Sequence, residues 1–304
     1  MTAASPSSNP LPPTSKVVEL MGPAVGGIRT HVAELTRRLR AAGRDVVVAG
    51  PPDALGHLGR NDVVVDVPAG LSPWGLVRAR RQLGRVEGQL LHAHGLKAGW
   101  VAVGDPRRRP VVLTLHNLVL EESSGRSARV MRELERRLVR RVDRVIAPSP
   151  AIASGCEGLI APDRLAVIVP VSPSPVPRRP RAEVRAELGA DGAGPLVVVV
   201  ARLHPQKDLS TFLRAMKLVA ARVPDVRAAI VGQGPLEAEL VRAIDELGLR
   251  ETVRLAGPSD HAVDELAAAD VVALTSVWEA VPLVVAEAAQ LGRPIVSTDV
   301  GIVS

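Results

Sequence analysis

The sequence predicts an α/β protein with two doubly wound domains in tandem. The chain has 304 residues, about twice the ~150 residues of an ordinary domain. Short β-branched runs alternate with stretches of helical period, a pattern typical of parallel sheets covered by helices. The alternation pauses in the proline-rich segment 170–180 and then restarts, which indicates a boundary between two domains.

The first half contains apolar runs predicted as buried strands and amphipathic stretches predicted as helices. The predicted strands are 17–20, 46–49, 63–66, 90–93, 111–115, 145–147 and 167–169. The predicted helices are 28–42, 74–87 and 127–141. We therefore predict a disordered tail over residues 1–15, a first domain over 16–170 and a linker over 171–182.

The second half repeats the same alternation and forms a predicted domain over residues 183–304. Its predicted strands are 196–200, 227–231, 253–255, 271–274 and 295–298. Its predicted helices are 209–222, 236–247, 262–269 and 283–291. In a doubly wound domain a helix normally follows the last predicted strand, but the sequence ends at Ser304. We therefore expect this second domain to be incomplete.

Composition restricts the class of protein. Hydrophobic residues make up 46% and charged residues 23% of the chain, which is typical of a globular protein. No apolar run approaches the ~20 residues of a transmembrane helix, and the first 15 residues lack the features of a signal peptide. Cys156 is the single cysteine, which excludes an internal disulfide. These features predict a cytoplasmic protein.

The two halves differ in charge. Residues 1–181 carry 27 basic and 15 acidic side chains, a net of +12, whereas residues 182–304 carry 11 and 17, a net of −6. The basic half either attracts an anionic partner or reflects a general bias toward arginine. With one Phe, three Trp and no Tyr, the chain lacks the rings that bind single-stranded nucleic acid, so we expect no nucleic-acid partner.

Three features of the first half follow predicted strands, where open α/β sheets bind ligands. Gly26 and Gly27 form either a tight turn or a pair of backbone N–H groups that approach an anion. His92 and His94 share one face of a strand, but without a third ligand nearby they do not predict a metal site. His116 either caps a loop or acts in proton transfer.

The second half carries two cations and two carboxylates that also follow predicted strands. Arg202 and Lys207 lie either in a solvated loop or in a clamp for a diphosphate, which a guanidinium fork and an ammonium suit. Glu279 precedes a predicted helix that contains Glu287, seven residues intervening. Because an unpaired buried carboxylate is costly, we expect Glu287 to be buried against a polar partner such as the hydroxyls of a ribose.

Together these residues resemble the retaining glycosyltransferases of family 4, the glycosyl transferases group 1. The motifs occur in one order: Gly26-Gly27, His94, His116, Arg202 with Lys207, Gly232-Gln233-Gly234-Pro235, and Glu279 with Glu287. The resemblance extends from about residue 17 to residue 301. It implies the GT-B fold, in which two Rossmann-like domains face each other across a cleft. It also implies a hexosyltransferase whose substrate is a UDP- or GDP-linked sugar, with no metal and no cofactor.

The resemblance also implies roles for these residues. His116 and Glu279 would be the catalytic residues, and His94 would lie on the acceptor side. The donor would be bound by a larger set: Gly26, Gly27, Arg202, Lys207, Gly232, Gly234 and Glu287. Attack from the front face of the sugar is our hypothesis for retention, since no second nucleophile is evident in the sequence.

Several features depart from the family pattern. Ala280 and Val281 replace a glycine and an aromatic residue, and the family continues beyond the position of Ser304. An alternative is therefore an impaired or purely nucleotide-binding remnant of such an enzyme. A nicotinamide oxidoreductase is disfavoured because the Gly-x-Gly-x-x-Gly fingerprint is missing.

The acceptor is expected to be anionic or lipid-linked, with peripheral contact at the inner face of a membrane. Two arginine clusters could serve such contacts: Arg107–Arg109, and Arg136, Arg137, Arg140 and Arg141. A solvated helix face is the alternative for the second cluster.

Overall fold

The computed structural model describes residues 15–23, 27–55, 62–70, 72–116, 126–170, 174–192 and 194–301. These residues form two compact units. The first contains the described residues of 15–116 and 129–168, and the second contains residues 126–128 and the described residues of 169–301. Each unit is built on one parallel β-sheet. The predicted fold class, two Rossmann-like α/β domains, is confirmed.

The first unit contains a seven-stranded sheet with the order β3-β2-β1-β4-β5-β6-β7. Its strands are β1 (Val17–Met21), β2 (Val46–Gly50), β3 (Val63–Val64), β4 (Leu90–His94), β5 (Val111–Thr114), β6 (Arg144–Ala147) and β7 (Leu165–Val167). Strands β1 and β2 are buried along their whole length. This burial explains their near-continuous apolar sequence, because helices cover both faces of a parallel sheet.

The helices of the first unit follow the strands in alternation. They are α1 (Gly27–Ala41), α2 (Pro52–Leu55), α3 (Pro73–Leu83), α4 (Gly95–Ala102), α5 (Arg126–Val139) and α6 (Pro150–Ser154). Local sequence fixes two of the helix starts. The Ser72 hydroxyl accepts a hydrogen bond from the Gly75 N–H, and the Ser149 hydroxyl accepts one from the Ile152 N–H. Proline follows each of these caps, where its missing N–H costs nothing.

The second unit contains a five-stranded sheet with the order β10-β9-β8-β11-β12. Its strands are β8 (Leu196–Val200), β9 (Arg227–Val231), β10 (Val253–Gly257), β11 (Val271–Leu274) and β12 (Ile295–Ser297). Its helices are α7 (Arg181–Glu187), α8 (Leu209–Ala220), α9 (Glu237–Glu246), α10 (Val263–Ala268) and α11 (Leu283–Gln290). Alternate residues of β8 face opposite sides, so Val199 packs with Phe212 and Leu213 while Val198 packs on the other face of the sheet.

Both sheets reverse their strand order at one point. Successive crossovers run outward from β1 in one direction and from β4 in the other, and β8 and β11 have the same relationship in the second unit. In open α/β sheets this switch point leaves a crevice at the carboxyl ends of the strands, where ligands bind. The fold therefore provides one candidate crevice in each unit.

Most predicted elements are present with small shifts at their ends, but four helices were missed: α2, α4, α6 and α7. Helix α4 begins directly after His94, and α7 begins inside the segment predicted as linker. The backbone N–H groups of Arg178 and Arg179 donate to the Asp264 carboxylate, so this part of the segment packs on the second unit. Within the described residues, none of the helices has the length and apolar character to span a bilayer.

Candidate functional site

The crevice of the second unit is built around an ion pair. Lys207 ends a 3-10 turn after β8, and Glu279 lies in the loop after β11. The Lys207 ammonium donates to Glu279 Oε1, and the Ser276 hydroxyl donates to the same oxygen at 2.6 Å. The side chains of Lys207 and Glu279 are only 16% and 9% exposed. The structure thus brings together two of the residues singled out in the sequence.

A backbone framework holds the two loops of this ion pair together. The Val277 N–H donates to the Gln206 carbonyl at 2.9 Å, and the Gln206 side chain donates to the Trp278 carbonyl at 2.8 Å. The Thr275 hydroxyl lies 3.1 Å from the carbonyls of both Lys207 and Asp208. These bonds cross between the loops in both directions. The positions of Lys207 and Glu279 are therefore set by the backbone as well as by their mutual attraction.

Gly232 and Gly234 position the loop that carries Arg202. Gly232 has φ +148°, and a Cβ atom there would lie 1.9 Å from the Ala201 carbonyl oxygen; at Gly234 a Cβ would lie 2.4 Å from the Leu203 oxygen. The Leu203 N–H donates to the Gln233 carbonyl at 3.0 Å. This close approach requires glycine at both positions. The structure thus gives a packing reason for the motif, and its predicted contact with the donor stays a prediction.

The remaining predicted donor residues differ in exposure. Arg202 is exposed at the carboxyl end of β8. Glu287 lies within α11, as predicted, but it is partly exposed. The expectation that Glu287 is buried was wrong, because α11 covers the sheet mainly through Ala288 on another face. Gly26 lies outside the described residues, and Gly27 is the exposed first residue of α1.

The crevice of the first unit is lined by histidines around a buried carboxylate. Glu19 on β1 is fully buried, and its Oε2 lies 3.0 Å from His92 Nδ1 and 2.7 Å from His94 Nε2. His94 Nδ1 lies 3.1 Å from His116 Nε2. His92 Nε2 lies 2.7 Å from the Thr114 hydroxyl. Parallel register explains the cluster, because Glu19 on β1 pairs with His92 on the neighbouring β4.

Sequence reasoning missed two members of this histidine cluster. Glu19 interrupts the apolar strand Val17–Met21. A charged residue inside such a strand could have been used to predict a buried carboxylate with a polar partner. His31 on α1 packs edge-on to the rings of His94 and His116, with centroids 5.8 Å and 5.5 Å away. His31 has the ordinary spacing of an amphipathic helix, so the sequence offered no comparable signal for it.

Burial keeps several of these histidines neutral. Burial lowers the pKa of His94 to about 4, with a further contribution from His92. Burial also lowers the pKa of His116 well below its usual value, and the neighbouring histidines add to the effect. For Glu19, burial raises the pKa, but attraction to His92 and hydrogen bonds from His92 and His94 outweigh it. The Glu19 pKa therefore lies well below its ordinary range.

A group with metal-ligand chemistry lies in this cluster. Within the described part of the chain, the ligand atoms of Glu19, His92 and His94 lie within 4.8 Å of one another. The sequence predicted no metal because the carboxylate comes from a distant strand. In this structure these atoms hydrogen-bond one another through Glu19 Oε2, whereas Glu19 Oε1 has no hydrogen-bond partner within the described residues.

The arginine cluster Arg107–Arg109 lies at the amino ends of the strands of the first sheet, opposite the crevice. These residues precede β5 and therefore stand at its amino end. Arg109 is buried, and its guanidinium donates to the Asp105 carboxylate at 2.8 Å and 2.9 Å and to the Val86 carbonyl at 2.7 Å. The suggestion that the whole cluster contacts an acceptor was therefore wrong for Arg109, which has a structural role.

Comparison with known proteins identifies related families. The model of glycosyl transferases group 1 matches residues 180–304, and the model of glycosyltransferase family 4 matches residues 25–170. The D-inositol 3-phosphate glycosyltransferase of Mycolicibacterium gilvum is 33% identical over 275 residues, 84% of this chain and 60% of that protein. The enzyme of the same name from Nocardia farcinica is 31% identical over 279 residues, with the same two coverages. The chain thus spans about 60% of the length of these curated relatives.

Solved structures share the fold. HepE of Anabaena in complex with UDP and glucose matches with a TM-score of 0.77 and 23% identity, over 94% of this chain and 81% of that one. Sucrose-phosphate synthase from Thermosynechococcus elongatus matches with a TM-score of 0.75 and 21% identity, over 94% and 82% of the two chains.

Proposed function

Because the chain belongs to the glycosyl transferases group 1, with a first half of glycosyltransferase family 4, we propose that it transfers a hexose from a nucleotide-sugar to an acceptor with retention of configuration. The observation that carries this proposal is the Lys207–Glu279 pair at the carboxyl ends of β8 and β11. A cation and a carboxylate at the switch point suit a ligand with a diphosphate at one end and a sugar at the other.

In this proposal Lys207 and Arg202 bind the donor diphosphate. An ammonium has three N–H donors, so its bond to Glu279 leaves others for phosphate oxygens. Arg202 is exposed at the same edge and offers a guanidinium fork. Glu287 would bind the ribose, which its partial exposure permits. Gly232 and Gly234 would border the nucleobase. HepE, which shares the fold, binds UDP and glucose, which supports a UDP-linked donor.

Catalysis would depend on charge placed around the departing diphosphate. Lys207 and Arg202 would stabilise the negative charge that develops on it. These groups supply the positive charge from the protein, so the proposal requires no metal and no cofactor. Glu279 would lie beside the transferred sugar, where its carboxylate stabilises positive charge on the ring. We retain front-face attack as the route to retention.

The acceptor is proposed to be anionic. The curated relatives are named for D-inositol 3-phosphate, and the first half of this chain carries a net charge of +12. His116 would face the acceptor. His94 is fully buried and reaches the same place only through His116. A cytoplasmic location fits a nucleotide-sugar substrate, and contact with lipid at the inner face of a membrane stays a prediction.

Thermal unfolding in the presence of UDP or GDP tests donor binding. A nucleotide at ~100 times its dissociation constant adds about 2.7 kcal/mol of stability, so the nucleotide that shifts the transition identifies the base. Lys207→Gln, which can still donate a hydrogen bond to Glu279, should abolish the shift, whereas the control Lys217→Gln, on an exposed site of α8, should not change it. A transition that neither nucleotide shifts would contradict the proposed donor site.

Transfer itself is tested by nucleotide release with UDP- and GDP-sugars and inositol phosphates as acceptors. The anomeric configuration of the product, read from its proton couplings, tests retention. Nucleotide binding without transfer to any acceptor would instead favour the alternative of a binding remnant, and an inverted product would contradict retention.

A further inference from the structure

The proposed transfer reaction assigns no role to the buried carboxylate of Glu19. Within the described residues its Oε1 is buried without a hydrogen-bond partner, whereas its Oε2 faces two histidines. A fully buried glutamate is rare unless it is paired. Any role of this carboxylate must therefore act through the histidines that it contacts.

Hydrogen-bond chemistry fixes the proton of His94. An ionised carboxylate only accepts hydrogen bonds, so His94 Nε2, 2.7 Å from Glu19 Oε2, must carry a proton. A neutral imidazole has one N–H, and burial keeps His94 neutral near pH 7. The other nitrogen of His94, Nδ1, is therefore an acceptor.

The acceptor nitrogen of His94 determines where His116 carries its proton. His94 Nδ1 lies 3.1 Å from His116 Nε2, and an acceptor on His94 requires a donor on His116. His116 Nε2 therefore carries the proton of the neutral His116 ring, and His116 Nδ1 keeps a lone pair. On the other side of the carboxylate, His92 Nδ1–H donates to Glu19 Oε2, and His92 Nε2 shares a hydrogen bond with the Thr114 hydroxyl. One proton then serves each contact.

We propose that Glu19 is a positioning residue that, through His94, holds His116 in the tautomer with an unprotonated Nδ1, so that His116 recognises a hydroxyl group. This inference rests on the proposed function, in which His116 faces the acceptor. Nδ1 with a lone pair accepts a hydrogen bond from a hydroxyl and offers none to a phosphate oxygen. An anionic group of the acceptor would accordingly be bound elsewhere.

The tautomer is measured directly by long-range ¹H–¹⁵N correlation on histidine-labelled chain near pH 7.5. We expect His116 in one tautomer, with the proton on Nε2, in the unmodified chain. Glu19→Met, which removes the acceptor oxygen, should give a mixture in which His116 Nδ1 is partly protonated. Glu19→Gln retains an oxygen and should restore the single tautomer. Glu34→Gln is the control, because Glu34 is a buried carboxylate that pairs with Arg37 and Arg38 instead.

Two results would overturn the inference: a proton on His116 Nδ1 in the unmodified chain, or a single unchanged tautomer in Glu19→Met. The first measurement needs no variant, so poor folding of Glu19→Met does not prevent a decision. Addition of zinc to EDTA-treated chain is a further arm. Displacement of the His92 and His94 protons by stoichiometric zinc would identify a metal site and also overturn the inference.

Activity supplies an independent readout. Glu19→Met should lower kcat about 10-fold while the donor KM changes little, since loss of one hydrogen bond to the acceptor hydroxyl costs about that factor. Glu19→Gln should recover most of this loss. If the unmodified chain transfers no sugar, the proposed function fails, but the tautomer measurement still decides the inference about Glu19.

Discussion

Lys207 and Glu279 lie 72 positions apart in the chain, yet the ammonium of the first donates a hydrogen bond to the carboxylate of the second. Each belongs to the loop that leaves one of two neighbouring strands, β8 and β11. The pair is mostly shielded from solvent. Removal of either charge therefore leaves the other without its partner in a low-dielectric crevice, and variants at these positions must preserve hydrogen bonding to be informative.

Glu279→Gln should reduce turnover roughly 100-fold or more, the magnitude of a lost electrostatic contact in a transition state. The amide oxygen can still accept from Lys207 and Ser276, so nucleotide binding should stay within a few-fold of the unmodified chain. Steady-state kinetics and nucleotide-dependent thermal shifts measure the two effects. Glu246→Gln, on an exposed site of α9, is the control. Unchanged turnover in Glu279→Gln would rule out the role proposed for this carboxylate.

Gly232→Ala should destabilise the second unit by more than ~2 kcal/mol and abolish the nucleotide-induced thermal shift. Both φ and space oppose a side chain there, since a Cβ would lie 1.9 Å from the Ala201 oxygen. Gly248→Ala is a matched control with φ +70° and no atom within 4 Å of the added Cβ. That control should lose only the ~1–2 kcal/mol of the left-handed conformation. Equal losses in urea unfolding would show that the close approach is unimportant.

Arg109→Met should destabilise the first unit by about 3–5 kcal/mol, because it leaves the Asp105 carboxylate buried without its partner. Arg107→Met, two positions earlier and exposed, should change stability by less than ~0.5 kcal/mol. Urea unfolding of both variants measures the difference. A small loss for Arg109 would mean that it is free to bind an anion after all.

The sequence predicted the sheets better than the sites. Strands β8, β9 and β11 were predicted at their observed ends, because short, mostly apolar runs of this length occur in buried parallel strands. Helix α4 was missed because Gly95–Ala102 is mostly apolar and lacks the charged outer face that marks a surface helix. Helix α7 was missed because prolines precede it.

Contacts between distant strands account for the remaining differences. Periodicity places His92 and His94 on one face of β4, but it does not show that Glu19, 75 positions before His94, lies on the next strand in register. The pairing of Lys207 with Glu279 is of the same kind. The motifs singled out Lys207 and Glu279 separately, whereas the hydrogen bond between them follows from strand order and register.

Stability of the first unit should fall as the pH drops from 6.5 toward 4. His94 has a folded pKa of about 4 against an ordinary value of 6.5. In this window the unfolded chain therefore binds a proton that the folded chain excludes. The free energy of unfolding has its full value above pH 6.5 and is about 3 kcal/mol lower at pH 4. The lowered pKa values of His31 and His116 add losses of the same sign. Glu19, whose pKa is also lowered, adds a loss that begins below its ordinary value of 4.5.

Urea unfolding followed by tryptophan fluorescence measures this dependence. In a Trp278→Phe background, Trp74 and Trp100 report on the first unit alone. The midpoint should decrease steadily between pH 7 and pH 4.5. His261→Asn, which alters a histidine of the second unit, should leave that decrease unchanged. Equal midpoints at pH 7 and pH 5 would mean that His94 takes up a proton in the folded chain as readily as in the unfolded one. The hydrogen-bond chain from Glu19 through His94 to His116 would then not be the stable arrangement of these side chains.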